Sequence, residues 1–272
     1  MVLNIKSFLK EDIGKKDITT DSIVNESHTS KAIILAKANG VIAGHIFVRE
    51  VFNVLSKEIL YEEKKKDGEY VSKGDILAVI QGKTRAILTG ERVALNILQR
   101  LSGIATLTRN FVEAVKGTGV KILDTRKTSP GIRMMEKYAV RMGGGYNHRA
   151  DLTEMALIKE NHLAVAHSIK EAVKRVREKA NVPIEVEVKN KKELKEAIDA
   201  SVDRIMLDNW DLTSIKYAVS FVKKRVPLEV SGNMDIEKAK RVAKTGVDFI
   251  SVGALTHSFK SLDISLLLEG IK

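Results

Sequence analysis

Six apolar runs of strand length, "VKILDT", "MALIKEN", "PIEVEVK", "DRIMLDN", "PLEVSGN" and "DFISVGA", recur from about residue 120 onward with amphipathic helical stretches between them. No other feature narrows the fold as much. Short strands alternating with helices require right-handed βαβ crossovers and a parallel sheet, and this much repetition favours a barrel. The helix starts carry capping signals: Ser168 with Glu171, Asn190 with Glu193, and Asp235 ahead of "IEKAKRVAKTG".

The first hundred residues follow another pattern. "KAIILAKA", "GVIAGHIFV" and "DILAVIQGK" read as β-type runs separated by "NG" and "DG" turn signals. The stretch "TGERVALNILQRLSGIATLTRNFVEAV" then places Val93, Ile97, Leu101, Ile104 and Phe111 at helical spacing, with Arg92 on the more polar side.

In an α/β barrel, reacting groups come from the C-terminal ends of several strands. Here those ends read Asp124-Thr125-Arg126-Lys127, Lys159-Glu160-Asn161-His162, Glu187, Asp208-Asn209, Ser231-Gly232-Asn233 and Gly253. Arg126 and Lys127 suit a carboxylate or phosphate, the one as a bidentate fork and the other as a movable point charge; the alternative is solvated surface charge. The triple glycine of "RMGGGYNHR" is costly to order unless the backbone must bend sharply there. Beside it, His148 and Arg149 read as part of an anion site, against the alternative of a structural histidine. Lys159 suits a carboxylate or a Schiff base. Glu187 and Asp208 suit Mg2+ completed by waters and substrate phosphates, or else simple neutralisation of nearby cations. "LEVSGN" and "FISVGA" put small residues before helices, where backbone N–H groups receive phosphate.

Composition limits the remaining classes. The formal net charge of +11 points to acidic partners, but only 5% of the residues are aromatic, which leaves little for stacking on nucleic-acid bases. A small polyanionic substrate fits the charge, and no nucleic acid is expected. With no cysteine there is no disulfide framework or thiolate metal site. No apolar run reaches the roughly 18 residues of a membrane span, and "MVLNIKSFLKED" breaks any secretory apolar core, so no membrane and a cytoplasmic location are expected.

The run "DTRKTSPGIRMMEKYAVRMGGGYNHR", followed by "LIKENH", "IEVEV", "IMLDN", "LEVSGN" and "ISVGALTHS", resembles the quinolinate phosphoribosyltransferase family. The likeness extends to "DITTDSI" and "GERVALNILQRLSGIAT". It implies an α/β fold: an N-terminal α/β sandwich over residues 1–104, then an open, incomplete α/β barrel over 105–264, with 265–272 returning to the first domain. It further implies a homodimer with shared active sites, and the Mg2+-dependent reaction of quinolinate with phosphoribosyl pyrophosphate. The products are nicotinate mononucleotide, pyrophosphate and CO2.

Carried over by position, Arg126, His148, Arg149 and Lys159 match the quinolinate-binding residues, and Arg92 matches an arginine supplied to the neighbouring subunit. Lys127 matches a position near the phosphates, and Glu187 and Asp208 match acids beside the ribose and the metal. Ser231, Gly232, Gly253 and His257 match the 5′-phosphate pocket. Asp151 stands where the family more usually has glycine, and Met142 where it often has a cysteine or small residue. A relative with another acceptor, nicotinate or a molybdate-transport-associated protein, is the alternative reading. The glycines are expected to aim His148 and Arg149 inward.

Overall fold

The computed structural model describes residues 5–269. Residues 1–4 of the expected first domain and 270–272 of the expected returning segment lie outside that range. The chain divides into two compact units, one of residues 5–107, 138–144 and 259–269, the other of 108–137 and 145–258.

The first unit contains α1 (Ile5–Ile13), α2 (Ile18–Ile23), β1 (Thr29–Ala36), β2 (Gly40–Val41), α3 (His45–Leu55), β3 (Leu60–Glu63), β4 (Tyr70–Val71), β5 (Ile76–Lys83) and most of the long helix α4 (Thr84–Ala114). β1 is the centre of an antiparallel sheet. It pairs with β5 on one side and, on the other, with a strand formed by Ile264–Leu268 near the end of the chain. Alternation in β1 buries Ala32, Ile34 and Ala36, as a half-buried strand requires. Val93, Ile97, Leu101, Ile104 and Phe111 of α4 are all buried, in keeping with the spacing that marked the helix.

One stretch departs from expectation. "GVIAGHIFV" does not continue as a strand; β2 covers only Gly40–Val41, and α3 begins at His45. The reason lies downstream, since Phe47, Val48, Val51 and Phe52 fall on one buried face only if the chain is helical. Gly44, at φ +124°, makes the change of direction.

The second unit continues with β6 (Lys121–Leu123), α5 (Arg133–Met142, whose last turn counts with the first unit), β7 (Ala156–Ile158), α6 (Glu160–Ala166), α7 (Ile169–Lys179), β8 (Ile184–Val188), α8 (Lys191–Asp199), β9 (Arg204–Asp208), α9 (Leu212–Val222), β10 (Leu228–Ser231), α10 (Ile236–Ala243), β11 (Phe249–Ser251) and α11 (Ala254–His257). The strand at Ile264–Leu268 is β12. The six strands β6 to β11 form one parallel sheet in the order β6-β11-β10-β9-β8-β7, with β6 and β7 left as edges. That is an open, incomplete barrel. Ser168, Asn190 and Asp235 each accept the N–H three residues on, capping α7, α8 and α10.

Helix α5 is not apparent from the apolar pattern, and it explains the triple glycine. Gly143 and Gly144 close its end by N–H bonds to Ala139 and Arg141, with Gly144 at φ +90°. Tyr146 then bridges to β6 at Leu123, which brings Asn147 and His148 alongside the strand end.

Among the described residues, no helix is long and apolar enough to cross a membrane.

Candidate active site

Strand alternation decides what the barrel interior holds. In β8, Ile184, Val186 and Val188 are fully buried in the hydrophobic core, while Glu185 and Glu187 point the other way. In β10, Leu228 and Val230 share the same arrangement, leaving Glu229 and Ser231 on the inner face. β9 does likewise with Arg204, Met206 and Asp208. The interior is therefore polar, unlike an ordinary barrel core.

These inner positions open into a cleft of about 650 Å³ at the strand ends. Arg126, Lys127, His148, Arg149, Lys159, Glu187, Asp208, Ser231, Gly232, Gly253 and His257 all line it. Arg92 does not, being exposed on α4 in the other unit, and of the strand-end residues Asp124, Glu160, Asn161 and His162 do not line it either.

One side of the cleft is cationic. Arg126 has its Nε buried without a hydrogen-bond partner, a donor left over for an anion. Arg149 is anchored by Nη1 to the Met155 carbonyl at 2.8 Å. Lys159 N-caps α6 and donates from Nζ to Glu187 Oε2 at 3.0 Å. Asp208 is held by the Asn209 amide at 2.8 Å.

His148 is buried and neutral, and its hydrogen bonds show which nitrogen carries the proton. The Arg149 N–H donates to Nδ1 at 2.8 Å, so Nδ1 is bare and Nε2 holds the hydrogen. That Nε2–H donates to Glu185 Oε2 at 2.9 Å. Burial lowers the imidazole pKa in the same direction. Beneath it, Glu185 and Glu229 are both raised to about 7, chiefly by burial; the charge of Glu185 raises Glu229 further. Arg204 donates to Glu229 at 3.1 Å.

Glu185, Glu229 and Arg204 are not found by reading strand ends, because they sit one layer deeper. For Glu185 the available signal was the alternation "IEVEV", in which a second acid stands two residues before Glu187. His148, Glu185 and Glu229 bring one ligand atom each within 4.8 Å and could hold a divalent cation. Ligation through Nε2 would require the imidazole proton to move to Nδ1, at the cost of the Arg149 N–H bond.

The other side of the cleft is built from backbone. Gly232 has φ +107°, and a Cβ there would stand 2.1 Å from Asn209 Oδ1 and 3.0 Å from the Asn209 nitrogen. The α10 N-terminus is already occupied by the Asp235 cap, so the 232–234 turn, not the helix end, faces an incoming anion. After β11, Gly253 starts α11 with no side-chain cap. A Cβ on Gly253 would meet Lys127 Cδ at 3.0 Å and His257 Nε2 at 3.1 Å, so both side chains lie over this glycine. An anion bound here meets backbone dipoles below and a lysine above.

Comparison with known proteins agrees on one family. Residues 17–102 match the N-terminal domain of quinolinate phosphoribosyl transferase, and residues 104–267 match its C-terminal domain. A probable nicotinate-nucleotide pyrophosphorylase [carboxylating] of Bacillus subtilis (strain 168) is 45% identical, with 96% of this chain and 91% of the relative covered. The solved structure of the nicotinate-nucleotide pyrophosphorylase from Francisella tularensis is 43% identical with a TM-score of 0.93, covering 97% of this chain and 94% of that one. NadC from Streptococcus pyogenes is 40% identical, again with a TM-score of 0.93, covering 97% and 95%.

Proposed function

This chain belongs to the quinolinate phosphoribosyltransferase family, and on that premise we infer that it transfers a phosphoribosyl group from phosphoribosyl pyrophosphate to quinolinate with loss of CO2, giving nicotinate mononucleotide for NAD biosynthesis. The observation that carries the reading is the convergence of Arg126, Lys127, Arg149 and Lys159 with the acids Glu187 and Asp208 around one cleft. A dianionic acceptor and a polyphosphate donor together need that many cations, and a ribosyl cation needs those acids.

Arg126, Arg149 and Lys159 bind the two carboxylates of quinolinate, and His148 forms the adjoining wall as a neutral imidazole. The 5′-phosphate rests on Ser231, Gly232 and Gly253 with His257 beside it. As pyrophosphate leaves, positive charge grows at the anomeric carbon and is stabilised by Glu187 and Asp208, while Lys127 receives charge on the leaving group. Attack by the ring nitrogen makes the ring cationic; the adjacent carboxylate then leaves as CO2, its bonding pair stays on that ring carbon beside the cationic nitrogen, and the carbon takes up a proton from solvent. Glu187 and Asp208 offer only hard oxygen ligands at an open cleft, which suits Mg2+ sharing its shell with waters and substrate phosphates. When bound, the ion supplies charge neutralisation for the pyrophosphate. The protein works as a homodimer in which the partner subunit's Arg92 completes each quinolinate site.

A turnover assay tests this. Purified protein given quinolinate, phosphoribosyl pyrophosphate and Mg2+ is expected to form nicotinate mononucleotide and CO2, with little product from nicotinate and none after chelation of the ion. Product from nicotinate alone would reassign the acceptor. No product from either would refute the reading. Mixing Arg92→Ala with Lys127→Ala protein is expected to restore part of the activity, and no restoration would refute shared sites.

A further inference from the structure

Beneath the cleft, Asp124 follows β6 fully buried, and Lys137 reaches it from α5 at 1% exposure. Asp124 Oδ1 accepts from Lys137 Nζ at 2.6 Å and from the His148 N–H at 2.8 Å. Asp124 Oδ2 accepts from the Asn147 amide at 2.6 Å. Lys137 Nζ also donates to the His148 carbonyl at 2.8 Å, and Asn147 Nδ2 to the Lys137 carbonyl at 2.9 Å. One buried ion pair thus grips both the N–H and the C=O of His148.

Stability does not account for such an arrangement. Taking an ammonium and a carboxylate out of water costs as much as their attraction returns, and apolar replacements of similar volume are often neutral or stabilising. Burial pushes the Asp124 carboxyl up and the Lys137 ammonium down, against the opposing pull of each on the other. What the pair does secure is geometry. Asp124 stands two residues before Arg126, and its other bonds end on the two residues before Arg149. A single carboxylate therefore ties together the two segments that bring these arginines to the cleft.

We propose that Asp124 and Lys137 are positioning residues: by fixing the Asn147–His148 backbone against the end of β6, they set the relative placement of Arg126, His148 and Arg149, and hence the affinity for the dicarboxylate acceptor. The acceptor's identity rests on the function proposed above; the positioning of His148 does not.

The test is the double variant Asp124→Asn/Lys137→Met, which removes both charges at nearly constant volume and leaves neither buried alone. The KM for quinolinate is expected to rise by about tenfold or more, because small misplacements of binding groups are costly. The KM for phosphoribosyl pyrophosphate and the melting temperature are expected to stay near the parent's. An unchanged quinolinate KM in the folded variant, or an equal rise in both KM values, would overturn the proposal. If the double variant does not fold, Asn147→Ala takes its place, since it removes the amide bonds to Asp124 and to the Lys137 carbonyl and leaves the ion pair itself in place. A rise of about threefold in quinolinate KM alone is then expected, and no rise overturns the proposal.

The imidazole 15N resonances of His148 supply a readout free of turnover. The parent should show a bare Nδ1 and a protonated Nε2, and the variant an averaged pair. An unaltered signature would overturn the positioning role even if the parent proved inactive toward quinolinate, an outcome that would separately refute the proposed reaction.

Discussion

Lys159 and Glu187 meet across neighbouring strands, with Nζ 3.0 Å from Oε2 and the lysine about half exposed at 48%. The most accessible cation of the acceptor site is thereby tied to an acid expected to act on the ribose. With its lysine at the solvent-exposed rim the pair adds little stability, but it sets up a competition, since an arriving carboxylate must share Lys159 with Glu187. Glu187→Gln is expected to leave quinolinate KM unchanged or lower while kcat falls by about a hundredfold. Lys159→Met should do the reverse and raise KM by about tenfold, the worth of a charge-assisted hydrogen bond. Steady-state kinetics on both variants would reveal the split, and parallel changes in KM and kcat would refute it.

Two glycines of the phosphate side make a contrasting pair. Gly232→Ala would force a side chain into φ +107° and against backbone of Asn209, where neither neighbour can yield cheaply. Loss of most activity and a lower melting temperature are expected. Gly253 has an ordinary φ of −63°, and its close neighbours are the movable ends of Lys127 and His257. Gly253→Ala should fold like the parent, with the penalty confined to the KM for phosphoribosyl pyrophosphate. Equal melting temperatures for both variants would contradict the strain argument at Gly232.

The site was legible in the sequence to the depth of one layer. Lys159, Glu187, Asp208, Ser231 and Gly253 stand where apolar runs stop, and a parallel sheet brings the ends of its strands to one rim regardless of loop detail. Glu229 and Lys137 were not legible, because a buried ionisable group is stabilised by partners far off in sequence. Glu229 relies on Arg204, and Lys137 on Asp124. The misread strand at "HIFV" has the same origin, since the β-prone Ile46, Phe47 and Val48 became helical so that Phe47 and Val48 could share one buried face with Val51 and Phe52.

Asp151 stands close enough to Arg149 in the sequence to oppose the anion site or to pair with a neighbouring base. Its Oδ1 instead accepts the Thr153 N–H at 2.8 Å and hydroxyl at 2.7 Å. These bonds, with a smaller contribution from Arg126, hold the carboxyl below its usual range. The acid is exposed and committed to a local turn. Asp151→Gly is therefore expected to change quinolinate KM by less than about threefold, as for a screened surface charge. A much larger drop in KM would show that the acid opposes substrate directly.

The buried acids make stability depend on pH in an unusual direction. Glu185 and Glu229 are each raised from 4.5 to about 7. Between these values the folded chain binds protons that the unfolded chain has released, so the stability they contribute is full below 4.5 and is lost as pH rises through about 7. His148 acts oppositely. Its lowered pKa means that the unfolded chain binds the extra proton, and stability grows as pH climbs toward 6.5. Glu229→Gln keeps one acid permanently neutral, while His148 is common to both proteins. The melting temperature of this variant relative to the parent is expected to be lowest at about pH 4.5 and below, to rise up to about pH 7 and to level off above it. Calorimetry at constant ionic strength measures that difference directly; a difference independent of pH would mean that Glu229 is already ionised in the fold at acid pH, with Arg204 as its counter-ion.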